Sequence, residues 1–193
     1  MSTKVYNIIW ADDEYATLKN DPLIRRLFDN KNIEVLKYVA TSDELKAELE
    51  NYKDKVDAVI IDGNFSQHPT EYVEKDDISG LIHTLTFIDV FNTRRDIPFF
   101  LCTSKKVFLQ EICKNGELDY FNRYNRLIQK GEMDMLTQRI VEDVEKVHTT
   151  EFLVRKRNKP LLDVAKSVDE KCEEHLYNFL LDEARDITCK RSV

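Results

Sequence analysis

Polar side chains stand at the end of several apolar segments of this sequence. Asp12 and Asp13 follow V-Y-N-I-I-W-A, Asp62 follows A-V-I-I, Thr103 follows F-F-L-C, and Arg123 follows L-D-Y-F-N. Carboxylate oxygens are the ligands that Mg²⁺ prefers, and a carboxylate can also attack phosphorus as a nucleophile. Phosphoryl transfer otherwise needs mainly a hydroxyl and a cation to position and neutralise the transferred group. The residue types therefore indicate phosphoryl chemistry with a metal at Asp12 and Asp13, the hydroxyl of Thr103 and the charge of Arg123.

This chemistry requires that the apolar segments be parallel strands of one sheet. The pattern predicts strands at residues 5–10, 33–39, 56–61, 97–102 and 118–121, and helices at 15–28, 42–52, 78–91, 105–114 and 132–147. Strands alternating with helices in this way are typical of an α/β fold with a doubly wound, five-stranded parallel sheet. Right-handed crossovers then place every carboxyl end at one edge, where we expect the polar residues to converge.

One position inside the first predicted helix leaves two alternatives open. Pro22 either kinks a helix over residues 15–28, or marks the true start of a helix with Asp21 as its N-cap.

Composition narrows the class of protein. The 193 residues suffice for one α/β domain with an extension, and the net charge of -7 makes nucleic-acid binding by the whole chain unlikely. The four cysteines have no zinc-ligand spacing, and reduced thiols are typical of a cytoplasmic protein. No apolar run approaches the roughly 18 residues of a membrane span, so we expect no membrane segment.

Residues 4–148 resemble the receiver domain of two-component response regulators. The resemblance depends on A-D-D-E after the first strand, I-I-D-G-N at the third, L-C-T-S after the fourth, and G-E-L-D-Y-F-N-R at the predicted fifth. It implies a flavodoxin-like fold over residues 1–148, followed by a helical extension over 149–193. It also implies a phosphorylation-dependent signalling switch rather than an enzyme, with a histidine kinase or phosphotransfer protein as its partner.

The resemblance also assigns roles to individual residues. Asp62 matches the phosphoacceptor, and Asp12 and Asp13 match the acidic pair that holds Mg²⁺. Asn64 matches the position whose backbone carbonyl completes the metal site, and Thr103 matches the switch hydroxyl. Finally, Tyr120 matches the aromatic rotamer switch of the fifth strand.

The sequence departs from the family pattern in two places. Arg123-Tyr124 stands where the family has Lys-Pro, so that either Arg123 or Lys105 would supply the positive charge. Residues 65–77 form an unusually long polar loop, and Gly80, matched to the glycine that opens the third helix, arrives late.

Taken singly, these residues have ordinary structural explanations. An Asp pair before a helix is often a cap, a Thr after a strand is often a turn residue, and Tyr120 and Arg123 suit core packing and a solvated charge. Their joint occurrence in the right order favours the receiver. Two alternatives remain: a phosphorylation-independent binding module, and a metal-dependent phosphohydrolase.

The tail carries a second amphipathic pattern. From Leu161 onward, apolar residues at Ala165, Val168, Cys172, Leu176 and Phe179 predict one helix of about six turns. Its apolar stripe must be covered by the receiver, by a partner, or by a second copy in a homodimer, which the last receiver helix could also form. The basic cluster at residues 155–159 is expected to be a solvated face rather than a nucleic-acid site.

Overall fold

The computed structural model describes residues 4–69, 77–92, 97–113 and 116–190. It contains one sheet of five strands: β1 (Tyr6–Ala11), β2 (Ile33–Val39), β3 (Ala58–Ile61), β4 (Phe99–Thr103) and β5 (Leu127–Gln129). All neighbouring strands are parallel, in the order β2-β1-β3-β4-β5. This is the predicted five-stranded α/β sheet, consistent with a flavodoxin-like fold.

Ten helices accompany the strands in the described residues. They are α1 (Tyr15–Leu18), α2 (Pro22–Asn30), α3 (Ser42–Asn51), α4 (Ser79–Asn92), α5 (Lys106–Ile112), α6 (Asp119–Arg123), α7 (Met133–Val147), α8 (Thr150–Arg157), α9 (Lys159–Val168) and α10 (Glu170–Lys190). None of these described helices has the combination of length and apolar character that crossing a lipid bilayer requires.

Helices cover both faces of the sheet. Successive side chains of a strand point to opposite faces, so Ile9 and Ala11 enter one core while Ile8 and Trp10 enter the other. The first core contains Leu45 of α3, Leu81 of α4 and Leu109 of α5; the second contains Ile24 of α2 and Leu136 of α7. Because β3 and β4 are buried along their whole length, their sequences are continuous apolar runs rather than alternating ones.

The second alternative for Pro22 is confirmed. Asp21 has extended backbone angles, and its carboxylate accepts hydrogen bonds from the backbone N–H groups of Leu23 and Ile24. Pro22 occupies the start of α2, where its missing N–H breaks no helical hydrogen bond.

The predicted fifth strand is wrong. Residues 119–121 of that segment belong to the short helix α6, and the fifth strand is β5, several residues later. β5 pairs in parallel with β4, with Leu127 opposite Leu101 and Gln129 opposite Thr103. The residue that follows the fifth strand is therefore Lys130.

The loop after β3 is partly built into the domain. Phe65 and Ser66 are buried, and Ser66 forms a parallel bridge with Thr41. At the other end, Gly80 donates its N–H to the Phe65 carbonyl at 2.9 Å. Residues 70–76 of the predicted polar loop lie outside the described residues.

The chain divides into two compact units, Met1–Val144 and Glu145–Val193. The predicted boundary after residue 148 falls inside the second unit. The first unit contains the whole sheet, and the second contains α8, α9 and α10.

The prediction of one continuous tail helix is wrong. Asp169 interrupts it with extended backbone angles (φ -165°, ψ 143°), and its carboxylate accepts a hydrogen bond from the Lys171 N–H at 3.2 Å. A carboxylate of this kind satisfies a free donor of a new helix, which favours a break at this position. The break separates α9 from α10, so the predicted stripe does not form one face.

Candidate functional site

Three carboxylates lie together at the carboxyl edge of the sheet. Asp12 directly follows β1, and Asp62 directly follows β3. The two strands are neighbours, with Ala11 opposite Ile61, so the two aspartates emerge side by side. Asp12, Asp13 and Asp62 each offer an oxygen, and these three atoms lie within 4.8 Å of one another. Asp12 and Asp62 are buried and Asp13 is half-buried.

Lys130 supplies the positive charge at this cluster. Its Nζ lies 2.9 Å from Asp12 Oδ2, 3.2 Å from Asp62 Oδ2 and 3.8 Å from Glu14 Oε2. The position is fixed by the backbone, because the Lys130 N–H donates to the Thr103 carbonyl and so extends the ladder between β4 and β5. A single ammonium group therefore partly compensates two buried carboxylates.

The two oxygens of Asp12 have different surroundings. Oδ1 accepts a hydrogen bond from the Glu14 N–H at 2.9 Å. Oδ2 is buried and lies 2.9 Å from the Lys130 ammonium, and a carboxylate oxygen can accept more than one such contact. Asp12 Oδ2 therefore keeps an unused acceptor position next to Asp13 and Asp62.

Thr103 places a hydroxyl beside the residue that follows Asp62. It ends β4 and is buried, and its Oγ1 accepts a hydrogen bond from the Lys105 N–H at 3.1 Å. The hydroxyl hydrogen remains available to donate. A Cβ on Gly63 would stand 3.0 Å from Thr103 Oγ1 and 2.3 Å from Leu109 Cδ1, so only glycine fits here without a shift.

Burial raises the pKa of all three carboxyl groups. For Asp62, burial and then the nearby Asp12 charge raise the pKa to about 6, against the opposing effect of Lys130. Burial likewise raises the pKa of Asp12 and of Asp13. Burial disfavours the charge of Lys130, but Asp62 and Asp12 outweigh it and raise the pKa of the ammonium. The site thus holds more negative charge than Lys130 alone neutralises.

Arg123 is not brought to this cluster, which corrects the prediction that it supplies the cation. It lies at the end of α6 and is exposed, and in the described part of the chain no ion pair or hydrogen bond joins it to the three carboxylates. The error follows from the misplaced fifth strand. Sequence reasoning missed Lys130, although this residue directly follows L-I-Q, the segment that forms the fifth strand.

Tyr120 also lies on α6 rather than on a strand. Its hydroxyl accepts hydrogen bonds from Arg126 Nη1 at 2.7 Å and from the Phe99 N–H at 3.3 Å. These contacts fix the ring between α6 and the start of β4, at the opposite end of that strand from Thr103. Tyr120 is therefore not on the fifth strand, and the prediction that placed it there is wrong.

The remaining predicted residues lie at the same edge. Asn64 stands two positions beyond Asp62, is half-buried, and accepts a hydrogen bond from Lys105 Nζ through its side-chain Oδ1 at 3.3 Å. Lys105, the alternative source of positive charge, therefore contacts Asn64 through its ammonium group.

No protein-family model matches the chain, and no curated protein shows significant similarity to it.

Proposed function

We propose that the chain is a response-regulator receiver that accepts a phosphoryl group on Asp62. The donor would be a histidine kinase or phosphotransfer protein, and the phosphorylated form would carry a signal to a downstream partner. The fold class alone does not establish this function, because many unrelated activities share the same fold.

One observation supports this proposal above the others. Three strand ends that are far apart in sequence bring a nucleophilic carboxylate, an acidic pair and an ammonium group to one point, with a threonine hydroxyl beside them. These are the parts that phosphoryl transfer needs. With Lys130 in place of Arg123, the cation also follows the fifth strand directly, as in the family that the sequence resembles.

The residues fit a hard divalent cation. Asp12, Asp13 and Asp62 provide oxygen ligands within 4.8 Å of one another, and the Lys130 ammonium alone does not neutralise them. Mg²⁺ suits such carboxylate sites and would hold the negative charge of the phosphoryl oxygens when bound. The Asn64 backbone carbonyl is the fourth protein ligand that we propose.

The chain's own residues then have distinct tasks. An Asp62 oxygen forms the bond to phosphorus while the bond from phosphorus to the donor's leaving nitrogen breaks, and that nitrogen takes a proton from water. With a pKa of about 6, Asp62 is mostly ionised at neutral pH and can attack. Lys130 pairs with one phosphoryl oxygen, and the Thr103 hydroxyl donates to another.

The proposal is tested by incubating the chain with phosphoramidate and Mg²⁺ and measuring the intact mass. We expect one added phosphoryl group, absent without Mg²⁺ and absent in Asp62→Asn. Asp29→Asn, an exposed change on α2, is the matched control and should be phosphorylated normally. Equal labelling of the wild-type chain and Asp62→Asn would contradict the proposal.

A phosphorylation-independent binding module is the second candidate. Lys130 pairs with both Asp12 and Asp62, so its ammonium group partly neutralises the site. This candidate predicts no phosphoryl adduct under any of these conditions, and Mg²⁺ that does not raise the melting temperature.

A further inference from the structure

Helix α9 has apolar residues on two faces, of which the second unit buries one. Leu162 is buried and Ala165 is half-buried. Leu161, Val164 and Val168 are 58%, 65% and 75% exposed. Their spacing of three and four residues places them in one stripe, which we call the outer face of α9.

The surroundings of the outer face permit another helix to approach closely. At about 100° per residue, the positions flanking the stripe are Pro160 and Ser167 on one side and Ala165 on the other. None carries a charge. The charged residues of α9, Lys159, Asp163 and Lys166, lie on the third side of the helix. A solvated helix normally exposes its charged face, so three exposed apolar side chains without charged neighbours indicate a docking surface.

Phe179 adds a fourth exposed apolar side chain in the same unit, on a different helix. It lies on α10, is 62% exposed, and has Asp182 and Glu183 one turn further along the same side of the helix. Helices α9 and α10 pack against each other. The second unit therefore presents one apolar stripe without charges and one apolar ring with acidic neighbours.

Charges that the unit leaves unpaired indicate which molecule docks there. Arg155 pairs with Glu173, and Arg185 pairs with Glu151, so these four residues join α8 to α10 inside the unit. In the described part of the chain, no ion pair is formed by Arg157, the last residue of α8, nor by Asp182 or Glu183 beside Phe179. The basic end of α8, which leads into α9, and the acidic side of α10 are complementary, and a second copy supplies each to the other.

We propose that the outer face of α9 is a self-association surface, on which α9 of one chain docks against α10 of a second copy. A two-fold axis makes the contact reciprocal: each α9 stripe covers the partner's apolar surface, and each basic end faces the partner's acidic residues. Burial of the stripe provides the affinity, and the peripheral charges fix the orientation.

The test is sedimentation equilibrium of the full chain, with three charge variants. Val164→Glu places a carboxylate in the stripe, and Arg157→Glu reverses a peripheral charge while leaving the stripe intact. Val107→Glu is the matched control, since Val107 is 69% exposed on α5 of the first unit. All three positions are exposed, and circular dichroism checks that each variant folds.

We expect a concentration-dependent dimer. Val164→Glu should raise its dissociation constant by about tenfold or more, Arg157→Glu by about threefold, and Val107→Glu not at all. A dimer that Val107→Glu disrupts and Val164→Glu does not would overturn the inference. So would a chain that stays monomeric up to about 100 µM; if that monomer sedimented with phosphatidylglycerol vesicles, the outer face would belong to a lipid surface.

Discussion

At the scale of single residues, Lys130 is the member of the site with the most contacts to carboxylates. Its ammonium lies within 3.2 Å of both Asp12 and Asp62, and the charge of Asp12 adds to burial in raising the pKa of Asp62. Removing it would leave two buried carboxylates without a cation. In phosphoryl transfer, it is also the group placed to neutralise an equatorial oxygen.

Lys130→Ala should therefore lower the rate of phosphorylation by phosphoramidate by about 10²-fold or more. Lys130→Arg should recover part of that rate, since the charge is kept but the geometry changes. Intact mass against time measures both. Arg123→Ala is the control and should react as fast as the wild-type chain; a loss with Arg123→Ala and none with Lys130→Ala would assign the cation to Arg123 instead.

The burial of Asp62 predicts a pH-dependent cost to stability. Its folded pKa of about 6 is above the ordinary value of 3.8, so the folded chain binds this proton more tightly than the unfolded chain. The buried carboxyl group lowers the free energy of unfolding least below pH 3.8, and this loss of stability grows as the pH rises through 6. A shift from 3.8 to about 6 corresponds to about 3 kcal/mol as an upper limit.

Asp62→Asn should thus be more stable than the wild-type chain at pH 7.5 in EDTA, by roughly 1–3 kcal/mol, and nearly equal to it at about pH 4. Urea unfolding at the two pH values measures the difference. If the stability of Asp62→Asn relative to wild type instead falls between pH 4 and pH 7.5, the attraction between Lys130 and Asp62 outweighs the cost of burying the carboxylate.

At the scale of secondary-structure elements, the sequence predicts the first four strands well and fails at the fifth. β1, β3 and β4 are buried on both faces, so their apolar runs are visible without any partner. β5 has only three residues, and it follows a charged one. Such a short edge strand has no periodicity of its own.

The environment of Arg126, the residue before β5, gives the physical reason for this failure. It is buried because it pairs with Asp143 through Nε and lies over the rings of Phe100, Tyr120 and Tyr124. These partners come from three different elements, so nothing local in the sequence indicates that an arginine can precede a strand here. By contrast, L-D-Y-F has the aromatic residues of a strand, but Tyr120 and Phe121 lie on helix α6, where Tyr120 contacts Arg126 and Phe121 enters the core.

The close contact between α4 and the loop after β3 gives an element-scale prediction. A Cβ on Gly80 would lie 2.5 Å from the Phe65 carbonyl oxygen and 2.7 Å from that of Ser66. Because these are backbone atoms, Gly80→Ala should cost about 1–3 kcal/mol of unfolding free energy. Urea denaturation measures the loss.

Gly131→Ala is the matched control, since no atom lies within 4 Å of the Cβ it would gain. Its effect should stay within about 0.5 kcal/mol. Equal stability of the two variants would mean that the start of α4 shifts freely away from the loop.

At the scale of the whole molecule, all residues of the candidate site belong to the first unit, and the outer face of α9 belongs to the second. The alternation of elements was enough to predict the sheet and the convergence of its strand ends. The tail was predicted less well, because helical spacing continues through residue 169 although the backbone does not.

This division predicts that a change in the second unit leaves the chemistry unaltered. Val164→Glu should be phosphorylated by phosphoramidate at the wild-type rate, within about twofold, because no reacting group lies on α9. The comparison is made at a low protein concentration, by mass against time. A large change in rate would mean that the second unit contributes to the site.

The central claim is that the carboxylate of Asp62 accepts the phosphoryl group. The most direct measurement is to phosphorylate the chain with Mg²⁺ present, reduce the acyl phosphate with borohydride, and sequence the peptides by mass spectrometry. Reduction converts a phosphorylated aspartate to homoserine, and we expect homoserine at position 62 alone. Homoserine at position 12 or 13, or label on a histidine with none at 62, would contradict the account.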